Sequence, residues 1–467
     1  MEADRIKVKD AAREFPCPGV ENDRHVSGQP ANATTQVPPA QKVTRPRSGF
    51  PPIERLLKAF SYRDFRILWF GSFTSSIGTW MQSVAENWLV FSLTRSAFFL
   101  GLDAFLQQIP ILLFSLFGGV IADRIDRRKM LLTSQYVQMT CAFALAVLVG
   151  LKVIQVWQIL LLSFITGSAQ AFGAPASQAL VPTLVEKRDL PNAVALNSIQ
   201  FNLARVVGPL LAGVTLAALG MVWCFSFNGI SFLIVIASLL ALHVRRQRSS
   251  VPRQLREELA EGIHYVRRKR AIFLLTALAA ITTFLAFAVI TLLPVIAREV
   301  FGQGVRLYSQ LLTFSGVGSV AGALFVAWLG RHRRMGASAL AVQAVCGVLL
   351  LAFGLSSHLW ASAGLLFLIG AGLIITLATI SSLVQLLVPD ELRGRVMSIY
   401  MVAFRGSMSL GSLLAGFIAS RAGPSRVFVY NGIALFFVAI LFFWLGRELC
   451  QPDLAIATSN RKSAWES

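Results

Sequence analysis

A chain of 467 residues that is 55% hydrophobic and only 14% charged lies outside the ordinary soluble class, where about a quarter of residues are charged. Its net charge of +20 would suit nucleic acid, but the bases sit in short segments between apolar runs, a pattern set by membrane insertion rather than phosphate binding. The chain reads as an all-α integral membrane protein, because a segment crossing lipid has to satisfy its backbone internally.

Residues 1–50 are polar and rich in Pro, Asn, Gln and Thr. They cannot bury enough apolar area to fold alone and read as a disordered tail, not as a signal peptide. Ile53 to Phe60 could lie on the membrane surface as a short amphipathic helix. Apolar runs follow at 66–93, 97–119, 130–151, 156–179, 194–219, 221–244, 271–297, 307–329, 337–357, 360–387, 396–420 and 427–446. Each is long enough to cross a hydrocarbon layer of about 30 Å. Twelve spans put both termini on one side. Loops of one parity hold twenty Lys and Arg, against six in the others, so the positive-inside rule places both termini in the cytoplasm. The 245–270 segment reads as a cytoplasmic linker, with an amphipathic helix around Glu257–Glu261. Residues 447–467 form a second tail.

The chain repeats itself. Leu-Val-Pro-Thr-Leu-Val at Leu180 and Gly-Pro-Leu-Leu-Ala-Gly at Gly208 are echoed about 203 residues later, at Leu383 and Gly411. Two six-helix halves, 51–244 and 271–446, related by pseudo-symmetry, account for this. The five cysteines are scattered and suggest neither disulfides nor a zinc site. No Gly-x-x-x-x-Gly-Lys-Ser/Thr loop is present, so neither ATP nor any other cofactor is expected. Nor is enzyme chemistry, since no nucleophile constellation appears.

Gly118 to Met130 reads Gly-Gly-Val-Ile-Ala-Asp-Arg-Ile-Asp-Arg-Arg-Lys-Met, between the second and third spans. Gly119, Asp123, Arg124, Arg127, Arg128 and Lys129 resemble the loop motif of the major facilitator superfamily of transporters, with Asp126 where a second glycine is usual. Gly208-Pro209 with Ala212-Gly213 resembles the fifth-helix motif of exporters. Phe65-Arg66-Ile67-Leu68-Trp69 and Ala171-Phe172-Gly173-Ala174-Pro175-Ala176 look like the branch of enterobactin and drug exporters. The resemblance covers about residues 60–446. It implies alternating access between two halves and export of a siderophore-like or drug-like small molecule across a bacterial inner membrane. Proton exchange is the leading coupling, suggested by the acids Glu86 and Asp103 rather than by the resemblance. It also implies that Asp123 faces the positive N-terminal end of span 11 near Gly394–Arg395, as a conformational gate with Arg124, Arg127 and Arg128. The span-4 arginine of many proton-coupled antiporters has no counterpart in Gly167-Ser168-Ala169-Gln170, so coupling does not follow from that motif.

Ionisable groups inside a span cost about 2.5–3.5 kcal/mol on insertion scales and default to function. There are four: Glu86, Asp103, Arg205 and Arg405. Glu86 and Asp103 fall at similar depth and together could share a proton. Glu86 ends a polar stripe of Ser72, Ser75, Thr79 and Gln82, expected to line water. Gln107 follows Asp103 on its helix face, though Asp103 could also reach the outer interface. Arg205, one turn from Asn202, and Arg405, aligned with Asn202 by the repeat, suit an anionic or mixed-charge substrate. Gly208 and Pro209, with Gly213 beyond, are expected to bend span 5. The reading is a monomeric secondary transporter. A lipid flippase of the same fold and a non-transporting sensor or assembly protein are its rivals.

Overall fold

The computed structural model describes residues 57–124, 127–243, 255–332 and 334–446, without the side chains of 115–127 and 255–259. Both tails lie outside the described residues. So do the side chains of Gly119, Asp123, Arg124 and Arg127, and with them the expected gate.

Among the described residues twelve long helices follow in order: α1 (Arg63–Thr94), α2 (Ala97–Arg124), α3 (Arg127–Gly150), α4 (Val156–Leu180), α5 (Leu190–Ala218), α6 (Met221–Leu240), α7 (Arg270–Val300), α8 (Val305–Leu329), α9 (Met335–Leu355), α10 (Leu359–Leu387), α11 (Asp390–Ala422) and α12 (Pro424–Leu445). Eleven contain a stretch apolar enough to cross a membrane. The exception is α1, whose Arg63, Asp64 and Arg66 and polar stripe dilute it. Its 32 residues still span about 48 Å at about 1.5 Å per residue. No strand occurs among the described residues.

The packing repeats as the sequence does. Helix α1 rests on α5 and α6, as α7 rests on α11 and α12. Helix α2 pairs with α4 as α8 pairs with α10, and α3 with α6 as α9 with α12. Two seams join the halves, α2 against α11 and α5 against α8. Glycines set their closeness, because a missing side chain lets backbones approach. Gly101 and Gly416 meet across the first seam, and Gly213 packs on Ser309 across the second.

We call the end carrying the Arg95 turn the far face and the end carrying Lys58 and Gly446 the basic face. At the far face one hydrophobic core runs through both halves, from Val84, Leu89 and Leu100 to Leu292, Tyr308 and Phe428. At the basic face each half keeps its own core: Phe65, Leu180 and Leu239 in the first, Leu275, Leu340 and Val384 in the second. Among the described residues the apolar core is therefore continuous between the halves at the far face and distinct in each half at the basic face.

Helix α7 departs from the continuous span expected. It consists of Arg270–Ala286 and Ala288–Val295, interrupted at Phe287, and ends in a π turn at Ile296–Val300. Pro294, which lacks a donor, removes a bond from the second piece. Helix α5, by contrast, continues through Pro209 as one helix.

The entering chain is fastened at the basic face. A short turn at Lys58–Ser61, ending where the amphipathic helix was expected, sits over the start of α5. The Ala59 amide donates to Asn192 Oδ1 (2.8 Å), the Tyr62 hydroxyl donates to Asp189 Oδ2 (2.8 Å), and Lys58 Nζ lies 3.1 Å from Asp189 Oδ1. Burial pushes the Asp189 carboxyl up, but Tyr62, Lys58 and Arg188 outweigh it and hold the group below its ordinary value. The linker does form a helix, Leu255–Arg268, and its Glu261 ion-pairs with Arg395 of α11.

Candidate functional site

Glu86 lies eight residues before the far end of α1, Asp103 six residues into α2 and Ser163 seven into α4. At about 1.5 Å per residue, all three sit roughly 9–12 Å below that face. The structure brings them together. Ser163 Oγ is 2.6 Å from Glu86 Oε1 and 2.6 Å from Asp103 Oδ1. All three side chains are buried, at 4%, 4% and 1% exposure for Glu86, Asp103 and Ser163. Gln82 Nε2 donates to Glu86 Oε2 (3.2 Å), and Asn228 Nδ2 of α6 donates to Gln82 Oε1 (2.7 Å). No described Lys or Arg pairs with either acid.

This geometry constrains protons. A serine hydroxyl has one hydrogen to donate. It can serve only one carboxyl, so the second contact requires a protonated carboxyl that donates to Ser163 Oγ. Two ionised carboxylates on one hydroxyl, with no cation near, would leave an uncompensated charge pair in a low-dielectric interior.

Two expectations are corrected here. Most of the α1 stripe does not line water: Ser75, Gln82 and Glu86 are buried, and Ser72 and Thr79 are half-buried. Gly71 and Gly78 let α1 press onto Ser238, Ser231 and Asn228 of α6, which turns the stripe into an interior polar seam. Asp103 does not reach the far interface, since its short side chain is held by Ser163. Ser163 went unrecognised as a lone serine in an apolar run, although its depth below the far end matches that of the two acids.

Arg205 lies midway along α5. Its guanidinium carbon stands 5.7 Å from the ring centre of Trp80 on α1, a cation–π contact. It borders a nearly closed cleft of about 10 Å³, room for one water. The cleft is formed by the other half, with Phe287 and Ile290 beside the α7 break, Ser315 and Ser319 of α8 and Gly370 of α10. Arg205 has no acidic partner among the described residues. Arg405, midway along α11, reaches the opposite way: its Nη1 donates to Gln108 Oε1 of α2 at 3.4 Å. Arg405 thus crosses into the other half while Arg205 borders it, and neither has an acidic partner among the described residues.

The remaining residues fall elsewhere. Gln107 makes no side-chain hydrogen bond among the described residues, and its neighbour Gln108 is the one that meets Arg405. Asn202 Nδ2 donates to the Ser198 carbonyl (2.8 Å) of its own helix. Gly208 presses on Trp80 and Gly213 on Ser309, so both glycines serve close packing. Arg128 Nη2 donates to the Leu240 carbonyl (2.8 Å), tying it to the end of α6 in its own half. The five site elements α1, α2, α4, α5 and α11 belong to a fold that residues 56–461 share with the transmembrane secretion effector family.

The chain belongs to that family, a branch of the major facilitator transporters.

Relatives support this along most of their length. The staphyloferrin A transporter of Staphylococcus aureus is 28% identical, over 81% of this chain and 95% of its own. Macrolide efflux protein A of Streptococcus pyogenes is 24% identical, over 81% and 94%. The enterobactin exporter of Salmonella typhi is 26% identical, over 82% and 92%. Among solved structures, a bacterial homologue of the human lysosomal transporter Spinster superposes with a TM-score of 0.65 at 15% identity, covering 83% of this chain and 97% of that one. The nucleoside transporter NupG gives 0.64 at 14% identity, covering 82% and 99%. The protein is a multi-pass membrane transporter for a small molecule.

Proposed function

We propose that this transporter exports an acid-bearing organic molecule across a bacterial inner membrane in exchange for protons. The observation that carries the reading is the Ser163 hydroxyl shared by two buried carboxyls with no cation beside them. That arrangement needs a bound proton and would be destabilised by its loss. Proton release would therefore be linked to a change in the packing of α1, α2 and α4. Arg205 and Arg405, unneutralised and reaching from opposite halves, supply the complementary charge for an anionic substrate. The cleft at Arg205 widens as the halves rock, and the interrupted α7 beside it provides irregular backbone of the kind that lines transporter sites.

The basic face is the cytoplasmic face in this reading, by the distribution of Lys and Arg. The conformation described, joined at the far face, is then the one that loads substrate from the cytoplasm. Of the relatives' cargo, the siderophores set the first candidates. The protein acts as a monomer, without ATP and without making or breaking a substrate bond.

Cells with and without the protein, loaded with a labelled siderophore and treated with or without a protonophore, test this. Retention should be lower with the protein and should rise when the protonophore is added. Equal retention in all arms contradicts the proposal.

A further inference from the structure

The α5–α8 seam carries a groove of about 770 Å³ on its outer side, within the range of about 300–1,000 Å³ typical of ligand pockets. Leu210 and Val214 come from α5, Arg306, Ser309 and Val317 from α8, and Phe367 from α10. Leu210 and Val214 are 53% and 62% exposed. At this depth the shared core fills the space between the halves, so these side chains face lipid rather than a water-filled cavity.

Three features point to one occupant. The first is extent: Val317 lies eleven residues beyond Arg306 on α8, or about 16 Å, and half of a hydrocarbon core of about 30 Å is nearly the same. The groove therefore runs from the far interface to mid-membrane, the depth of a single leaflet. The second is charge. Arg306, second residue of α8, is exposed at the level of the headgroups and has no acidic partner among the described residues. The third is an orphaned donor. Ser309 is 2% exposed, lines the groove, and its hydroxyl has no hydrogen-bond partner, a cost that native structures seldom leave uncompensated.

We infer that this groove binds a phospholipid of the far leaflet. The phosphate pairs with Arg306, an ester carbonyl oxygen accepts the Ser309 hydroxyl, and one acyl chain lies along Val214, Leu210, Val317 and Phe367. Gln310 and Thr313 also line the groove, but the Thr313 hydroxyl donates to the Ser309 carbonyl, and a water-soluble ligand would leave the apolar surface of Leu210, Val214, Val317 and Phe367 uncovered. Because Gly213 and Ser309 touch behind it, the bound lipid braces the seam that has to part when the far face opens. The inference is independent of proton exchange.

The test is native mass spectrometry of the full chain in detergent, titrated with dioleoylphosphatidylglycerol or with dioleoylglycerol, which lacks the phosphate. One phosphatidylglycerol should be retained in preference to dioleoylglycerol. Arg306→Gln and Ser309→Ala should each weaken retention about tenfold, the scale of one charge-assisted or buried hydrogen bond. Ser309→Ala should leave thermal stability intact, since the hydroxyl it removes is unpaired. Val214→Trp, which fills the groove, should abolish retention. Unchanged retention in all three variants overturns the inference. So does a Val214→Trp protein that keeps the lipid but loses substrate transport, because the groove would then be a substrate passage.

Discussion

Replacing Gly101 with alanine puts one methyl group into the α2–α11 seam at the far face. That methyl would lie 2.5 Å from the Ser412 carbonyl oxygen, 3.1 Å from Leu413 Cα and 3.2 Å from Gly416 Cα. All three are backbone atoms and cannot swing aside, so overpacking costs about 1–3 kcal/mol. Alanine also favours a helix over glycine by about 1 kcal/mol. Helix α2 stays helical in both conformations, so that gain cancels in the equilibrium between them. Only the clash differs, and it disappears when the seam parts. The ratio of far-open to far-closed molecules should therefore rise by about fivefold to about 150-fold. Spin labels at Ser96 and Ser420, at the far ends of α2 and α11, report this by electron–electron resonance. Wild type should show one short distance. Gly101→Ala should add a longer component, and Gly416→Ala, whose methyl would lie 2.6 Å from the Ala97 carbonyl oxygen, should do the same. An unchanged distance distribution in both variants would refute the assignment of this seam as the far-face closure.

Three further outcomes are expected. Glu86→Gln and Asp103→Asn should impair gradient-driven transport to a similar degree, because both acids share Ser163; a variant of either that transports at the wild-type rate removes that acid from the mechanism. Arg205→Ala should weaken binding of anionic substrates about tenfold or more, by loss of a charge-assisted contact of about 1.5–3 kcal/mol, and leave neutral ones little changed in a radioligand assay. Asp189, held below its ordinary value, stabilises the fold above the unfolded value of about 3.9, and that contribution is lost as pH falls through the lowered folded value. Asp189→Asn should accordingly melt below wild type at neutral pH, and the two should converge in acid; a constant difference would show that the ion pairs with Lys58 and Arg188 are not its source.

The fold was largely legible because a membrane forces each span to declare itself as an apolar run. The repeat at Gly208 and Gly411 announced the two halves, and both positions lie on packed interfaces in the structure. The break of α7 at Phe287 was not legible, since nothing at that residue distinguishes it from a continuous helix. Among site residues, Glu86, Asp103, Arg205 and Arg405 stood out because charge in hydrocarbon is costly. Their partners Ser163, Trp80 and Gln108 did not. Serine, tryptophan and glutamine are unremarkable along a span, and their meaning comes only from which helices pack together. The α1 stripe shows the converse: a polar face was legible, but whether it met water or α6 depended on tertiary packing.

Proton exchange is the central claim. It is tested most directly in proteoliposomes carrying the purified protein, a pH-sensitive dye inside and a labelled siderophore outside or inside, with an imposed pH gradient. Wild type should move substrate uphill against a counterflow of protons, and Glu86→Gln should bind substrate yet show neither uphill transport nor proton movement. Uphill transport by Glu86→Gln at the wild-type rate, or wild-type transport without any proton flux, would contradict the account.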